Sequence, residues 1–87
     1  MSFLIVYDSQ SEKFLSKCDK HIADRIITKI ETILPNNPVP QNATSIVGEH
    51  GVFRIRVGDY RVLYRIDYPK NSIVILKVDK RSIVYER

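Results

Sequence analysis

The sequence has a single cysteine, Cys18, and no long apolar run. One thiol excludes an internal disulfide framework and fits a reducing cytoplasm. No apolar stretch approaches the roughly 20 residues that a membrane-spanning helix needs, and residues 1–7 lack the basic segment and cleavage site of a signal peptide. The chain also lacks metal-ligand spacings, a phosphate-binding glycine loop and a dinucleotide fingerprint. These absences predict a cytoplasmic protein that needs neither a metal nor a cofactor.

Charge is distributed unevenly along a chain that is long enough for one domain. Eighty-seven residues supply a single small core, so residues 1–87 are expected to form one domain. Residues 1–50 contain five Lys and Arg against six Asp and Glu, a net charge of −1, whereas residues 51–87 contain nine against four, a net charge of +5. A basic half of this kind indicates a nucleic acid or an acidic protein as the partner.

The apolar pattern predicts a strand, two helices and then several strands. Residues 3–7 have the composition of a buried strand, and Ser9 with Glu12 matches a capping box that opens a helix. Asp19 caps a second helix, whose isoleucines follow helical spacing until Pro35 ends it. Further strands are expected at 45–47, 52–57, 60–67 and 72–78. This order indicates an α+β fold in which both helices pack on one face of an antiparallel β-meander.

Apolar and basic residues alternate with period two on either side of a turn at Gly58-Asp59. A two-residue loop there places Arg56 opposite Arg61. Like charges that face each other across two strands destabilise the fold. The arginine pair is therefore better explained by the binding of a polyanion than by a contribution to stability. The face predicted to lie beneath the helices carries Phe53, Ile55, Val57, Tyr60, Val62, Tyr64 and Ile66, and the other face carries Arg54, Arg56, Arg61 and Arg65 with Leu63. The hairpin has no carboxylate on the arginine face before Asp67, and the planar arginine fork matches phosphate oxygens well.

The residues alone leave other interpretations open. An arginine face can also be a merely solvated sheet face. Glu49 and His50 could form the acid–base pair of a conventional ribonuclease, although adjacent residues rarely converge on one reacting atom. Cys18 near a helix end is more often a small core residue than a nucleophile.

A family resemblance is strongest in segment 53–64, which reads Phe-Arg-Ile-Arg-Val-Gly-Asp-Tyr-Arg-Val-Leu-Tyr. This segment closely resembles the central motif of the RelE/ParE superfamily of toxin–antitoxin toxins, on the RelE side. Segment 77–85, which reads Lys-Val-Asp-Lys-Arg-Ser-Ile-Val-Tyr, resembles that family's closing segment. The predicted order of elements is also similar, so the resemblance spans nearly the whole chain.

The resemblance implies a ribosome-dependent endoribonuclease that cuts messenger RNA in the ribosomal A site. It also implies a RelB-like antitoxin that holds the toxin inactive in a hetero-oligomer. The catalytic residues that it implies by position are Arg54, Arg56, Arg61, Lys80, Arg81 and Tyr85. The chain departs from some members in having Arg rather than Lys at positions 54 and 56. Its final loop is shorter than in some members, so Arg81 matches either of two family arginines.

Cleavage of RNA through its own 2′-hydroxyl group needs a base, an acid and stabilisation of a dianionic phosphorane-like state. An arginine cannot be the base, because its guanidinium keeps its proton at ordinary pH. Lys80 and Tyr85 are the remaining candidates for the proton transfers, since nearby arginines favour loss of a proton. Arg56, Arg61 and Arg81 are then expected to clamp the phosphate without a metal ion.

Two other functions are compatible with the resemblance. A ParE-like protein would inhibit DNA gyrase by binding it, without cleaving RNA. A family member with weak catalysis would bind its antitoxin and do little else.

Overall fold

The computed structural model describes residues 2–80 and confirms the predicted α+β order. A short strand is followed by two helices and then by four strands. The elements are β1 (Leu4–Tyr7), α1 (Ser9–Lys17), α2 (Lys20–Ile33), β2 (Thr44–Ser45), β3 (Val52–Val57), β4 (Tyr60–Asp67) and β5 (Ser72–Lys80). None of the helices within the described range is long and apolar enough to cross a membrane.

The five strands form one sheet in the order β1-β5-β4-β3-β2. The strands β3, β4 and β5 form the predicted antiparallel meander, and β2 adds to β3 in the same sense. The first strand pairs parallel with β5, which makes the sheet mixed. Two parallel strands cannot be joined by a tight turn, so the chain needs a long crossover after β1, and the two helices lie in it.

The apolar stripe of α2 packs onto one face of this sheet, as predicted. Ile26, Ile30 and Leu34 are at most 1% exposed and belong to the same core as the inward side chains of β4 and β5. Tyr64 is fully buried in this core and donates its hydroxyl hydrogen to the carbonyl oxygen of Pro38 at 2.6 Å. Because both helices cover the same face, the arginine-bearing face of the sheet has no helix of residues 2–80 above it.

Both helices have an aspartate as their N-cap, and the N-cap of α1 differs from the prediction. The carboxylate of Asp8, not the hydroxyl of Ser9, caps α1, and it accepts a hydrogen bond from the backbone N–H of Ser9 at 2.7 Å. A carboxylate also interacts favourably with the positive end of the helix dipole, which a hydroxyl does not. Asp19 caps α2 as predicted, with its carboxylate 3.3 Å from the backbone nitrogen of His21. The second helix ends at Ile33, with Leu34 as its C-cap, immediately before Pro35.

Three strands differ in detail from the prediction. The first is an edge strand with alternate residues in solvent, Leu4 being 68% and Val6 42% exposed, so it is not buried on both faces. The second is the pair Thr44–Ser45 rather than residues 45–47, and Val47 is 98% exposed. The fifth continues to Lys80 because β4 offers backbone partners as far as its first residue.

Candidate functional site

The hairpin of β3 and β4 has the predicted register. Val57 pairs with Tyr60 and Arg56 pairs with Arg61 across the turn. The inward residues of both strands are buried or half-buried, including Ile55 at 3% and Val62 at 0%. The predicted separation into an apolar helix face and an arginine face is therefore confirmed.

A cleft of about 540 Å³ lies on the arginine face near the hairpin turn. It brings together three of the predicted site residues, of which Arg54 and Arg61 are half-buried and Arg56 is exposed. The residues around the cleft are Asn42, Thr44, Arg54, Ile55, Arg56, Gly58 and Arg61. Asn42 and Thr44 are absent from the predicted site. Thr44 reaches it because it pairs with Arg54 at the edge of the sheet, and Asn42 lies two residues earlier in the chain.

The fourth arginine of this face lies outside the cleft. Arg65 is exposed and pairs with Val52 at the end of the hairpin remote from the turn. Leu63 lies between Arg65 and Arg61 on the same side of β4. The arginine face therefore contains a group of three guanidinium side chains around the cleft and one separate arginine.

A carboxylate from β5 meets Arg61, which the hairpin sequence alone does not reveal. Nε of Arg61 lies 3.3 Å from Oδ1 of Asp79, and Nη2 lies 3.3 Å from Oδ2. Nζ of Lys77 lies 4.0 Å from the same Oδ2 atom. The hairpin itself carries no carboxylate on this face before Asp67, as its sequence indicated, but the neighbouring strand β5 supplies Asp79 next to Arg61.

A β-bulge in β5 brings Asp79 to this position. Tyr64 pairs with Ile75 and Leu63 pairs with Lys77, so Leu76 is an extra residue between two consecutive partners. A bulge changes which face the following residues occupy. After it, Val78 enters the core at 2% exposure and Asp79 pairs with Arg61. The sequence signal is the spacing of three, rather than two, between the inward residues Ile75 and Val78.

Of the three remaining predicted site residues, Lys80 belongs to the described range 2–80, and it does not line the cleft. Lys80 is exposed and pairs with Tyr60, on the same side of β5 as Val78. Alternation along a strand therefore places Lys80 on the helix side of the sheet, at the end of β5. Arg81 and Tyr85 lie outside the described residues.

The helix side of the hairpin turn carries a cation that sequence reasoning missed. Arg25 extends from α2 to Gly58, where φ is +61°. Its Nη2 atom lies 2.7 Å from the position that a Cβ atom on residue 58 would occupy. Glycine at this turn therefore permits both the positive φ and the close approach of the guanidinium.

The alternative candidates from the sequence lie apart from the cleft lining. Cys18 is half-buried against the core, and burial, followed by the charge of Asp19, raises the pKa of its thiol. A thiol with a raised pKa is largely protonated at neutral pH, so it is a poor nucleophile. Glu49 and His50 are both exposed in the loop before β3. Among residues 2–80, no three His, Cys, Asp or Glu side chains are grouped so that they could hold a metal ion.

Fold and site together define a small α+β protein with helices on one face of its sheet and an arginine-lined cleft on the other. The profile of the family described as ParE toxin of type II toxin–antitoxin system, parDE, matches residues 5–85. The chain therefore belongs to this toxin family, within the RelE/ParE superfamily that the sequence resemblance indicated.

Individual relatives indicate a RelE-like toxin. Toxin RelG of Mycobacterium tuberculosis is 51% identical over 37 residues, a match that covers 42% of this chain and only 42% of that relative. A chain in the crystal structure of the toxin–antitoxin complex RelBE2 from Mycobacterium tuberculosis has a TM-score of 0.82 and 28% identity, covering 93% of this chain and 100% of that one. A chain in the archaeal RelE–RelB complex from Pyrococcus horikoshii OT3 has a TM-score of 0.75 and 29% identity, with coverage of 93% and 97%.

Proposed function

We propose that this toxin is a ribosome-dependent endoribonuclease that cleaves messenger RNA in the A site and so inhibits translation. The observation that carries the proposal is the cleft on the sheet face opposite the helices, where Arg54, Arg56 and Arg61 come together. Three guanidinium groups around one concave site favour a ligand with several anionic oxygens, such as an RNA phosphate. Arg56 and Arg61 face each other across the hairpin, and a phosphate between or above them would offset their repulsion.

The arginines would act by stabilising charge rather than by moving protons. The 2′-hydroxyl gives up its proton to a base as its oxygen bonds to the adjacent phosphorus. The bond from phosphorus to the 5′-oxygen breaks, which leaves a 2′,3′-cyclic phosphate, and the 5′-oxygen takes up a proton from an acid. The phosphorane-like state between them carries an extra negative charge, and fixed cations stabilise that state more than the ground state. Tyr85 stays the first proposed group for proton transfer, with Arg81 as a further phosphate clamp. Lys80, which the backbone register places on the helix side at the end of β5, would have to reach around the end of that strand to take part. This chemistry would need no metal ion or cofactor.

A RelB-like antitoxin is the proposed partner in the resting state, and the cytoplasm, where ribosomes work, is the proposed location. RelBE2 of Mycobacterium tuberculosis and RelE–RelB of Pyrococcus horikoshii are both toxin–antitoxin complexes. The net charge of +5 in residues 51–87 supports an acidic antitoxin segment, because complementary charge speeds and specifies docking.

Substitution of Arg61 by alanine tests the proposal, with Arg65→Ala as the matched control. Both residues are on β4 and on the same face, but only Arg61 lines the cleft. We expect Arg61→Ala to lower the rate of A-site cleavage on programmed ribosomes by about 100-fold, the typical loss when one oxyanion-stabilising donor is removed. Arg65→Ala should change it less than about threefold. Equal rates for wild type and Arg61→Ala would contradict the proposed site.

The second candidate function is inhibition of DNA gyrase by binding, and the match to the ParE family profile favours it. Induced expression followed by primer extension distinguishes the two. Cuts inside translated codons support the endoribonuclease. DNA breaks with intact messages support the gyrase inhibitor, and neither outcome in a protein that still binds its antitoxin indicates a catalytically weak family member.

A further inference from the structure

We propose that Asp79 is a positioning residue that holds the guanidinium of Arg61 in the orientation needed to bind the scissile phosphate. This inference rests on the proposed RNA cleavage and deepens it. A carboxylate beside a phosphate-binding arginine would by charge alone weaken phosphate binding. In this pair the geometry leaves room for both anions.

Asp79 occupies one edge of the Arg61 guanidinium and leaves another edge available. The carboxylate accepts hydrogen bonds from Nε and Nη2. An arginine has five N–H donors in a rigid plane, and Asp79 uses two of them. Within residues 2–80, both hydrogens on Nη1 and one on Nη2 have no partner, so they can bind a second anion. Arg61 can therefore hold Asp79 and a phosphate at once, with the plane of its fork already set by Asp79.

Partial burial makes this contact stronger than an ordinary surface ion pair. The side chains of Arg61 and Asp79 are only 17% and 28% exposed. Exposed ion pairs contribute little because solvent screens them and because two mobile side chains must be ordered. Here the backbone register places the two residues directly opposite each other, so the sheet supplies much of that order.

Within residues 2–80, Asp79 is the carboxylate of a local group whose other members, Arg61, Lys77 and Arg56, are cations. Lys77 approaches the same Oδ2 atom at 4.0 Å, and Arg56 lies on the other side of Arg61 across the hairpin. Without the carboxylate, the guanidinium of Arg61 would be repelled from both neighbours. Asp79 therefore draws Arg61 towards β5 and gives it a defined position beside the cleft.

A comparison of Asp79→Asn with Asp67→Asn separates positioning from a simple charge effect. Both substitutions remove one negative charge from the same sheet face, but Asp67 pairs with Ser72 and accepts from the backbone of Lys70, away from Arg61. If Asp79 positions Arg61, Asp79→Asn should lower kcat for A-site cleavage by about tenfold or more, with KM unchanged or lower. Asp67→Asn should leave kcat unchanged. An equal effect of both substitutions on kcat would overturn the proposal.

A double-mutant cycle with Arg61→Ala measures whether the effects of Asp79 and Arg61 on kcat depend on each other. Where Arg61 is absent, Asp79→Asn should change kcat less than twofold, because the group that it positions is gone. Where the loss of activity is the same in both backgrounds, Asp79 acts independently of Arg61 and the proposal is wrong.

The Nε–H resonance of Arg61 in the purified full chain gives a readout that does not depend on cleavage. In the wild type this resonance should be shifted and slow to exchange, and Asp79→Asn but not Asp67→Asn should move it to the position of exposed arginines. An unchanged resonance in Asp79→Asn overturns the positioning role. If the wild type cleaves nothing but the resonance behaves as expected, the proposed function fails while the positioning of Arg61 stands.

Discussion

Arg61 has a like charge on one side and an opposite charge on the other, and this asymmetry determines what it can do. Across the hairpin it faces Arg56, and across the next strand pair it faces Asp79 at 3.3 Å. An arginine repelled from one neighbour and held by the other keeps a narrow range of orientations. A site that stabilises a short-lived charge needs such fixed cations, because reorganisation at the moment of reaction costs free energy.

The buried hydroxyl of Tyr64 should make the free energy of unfolding depend on pH in alkaline solution. Burial, followed by the effect of Tyr68, raises the pKa of Tyr64 in the folded chain. The unfolded chain loses this proton near pH 10, whereas the folded chain keeps it to higher pH. The folded state therefore binds more protons above about pH 10, and the free energy of unfolding should fall as the pH rises beyond that value.

The substitution Tyr64→Phe should reduce the fall in the free energy of unfolding above about pH 10, measured by urea denaturation at a series of pH values. At neutral pH it should also lower the free energy of unfolding by about 1 kcal/mol, since the hydroxyl no longer donates to Pro38. Tyr68→Phe is the control for this change at pH 7. Because Tyr68 is 62% exposed, the substitution should leave the free energy of unfolding unchanged there. An alkaline loss of equal size in Tyr64→Phe and wild type would show that Tyr64 is not its source.

At the scale of elements, the β3–β4 hairpin was the most predictable part of the chain. Its alternation and its Gly58-Asp59 turn specify a register in which a shift of one residue would bury the arginines. The contribution of β5 was not predictable in the same way. Regular alternation starting at Ile73 and Ile75 places Lys77 inward, whereas the bulge at Leu76 turns Lys77 outward and Val78 inward. The extra residue is accommodated because it lets Val78 join the core.

Glycine substitutions test the turn as an element. Gly58 and Gly48 both have positive φ, +61° and +83°. Of these two, Gly58 alone has a neighbour, the guanidinium of Arg25, within 4 Å of the position that a Cβ atom would occupy. Each alanine substitution should cost about 1–2 kcal/mol in the free energy of unfolding for the left-handed backbone. Gly58→Ala should cost a few tenths of a kcal/mol more, because the end of a flexible side chain must move.

A double-mutant cycle with Arg25→Ala isolates the extra cost of Gly58→Ala that comes from moving the Arg25 side chain. In the Arg25→Ala background, the costs of Gly58→Ala and Gly48→Ala in chemical denaturation should become equal. If Gly58→Ala stays equally destabilising with and without Arg25, the close approach of the guanidinium has no energetic role.

At the scale of the whole molecule, the sheet separates an apolar helix side from a basic side, and the basic side should dominate binding to RNA. For a single-stranded nucleic acid, the logarithm of the binding constant falls with the logarithm of salt concentration by about 0.7 per neutralised phosphate. If Arg54, Arg56 and Arg61 each contact one phosphate, the slope for a single-stranded RNA oligonucleotide should be about −2 or steeper. Filter binding across a salt series measures it.

The effect of single substitutions on that slope locates the contacts. Arg56→Ala should reduce the slope by about 0.7, and Arg65→Ala should leave it unchanged because Arg65 lies outside the cleft. Equal reductions for both would indicate a diffuse basic face rather than a built site.

The order of elements, the core-facing stripe of α2, the hairpin register and the three arginines around the cleft could all be predicted from the sequence. These features depend on local periodicity and turn chemistry, which act over a few neighbouring residues. The sequence also carried the family motif that the profile match over residues 5–85 confirmed. The tertiary structure alone decided that Asp79 meets Arg61, that Lys80 is on the opposite side of the sheet, and that Arg25 reaches the turn. Each of these depends on residues far apart in the chain, brought together by the β4–β5 bulge and by the packing of α2. The spacing of Ile75 and Val78 signals the bulge, but it does not say which residues of other elements the shifted side chains will meet.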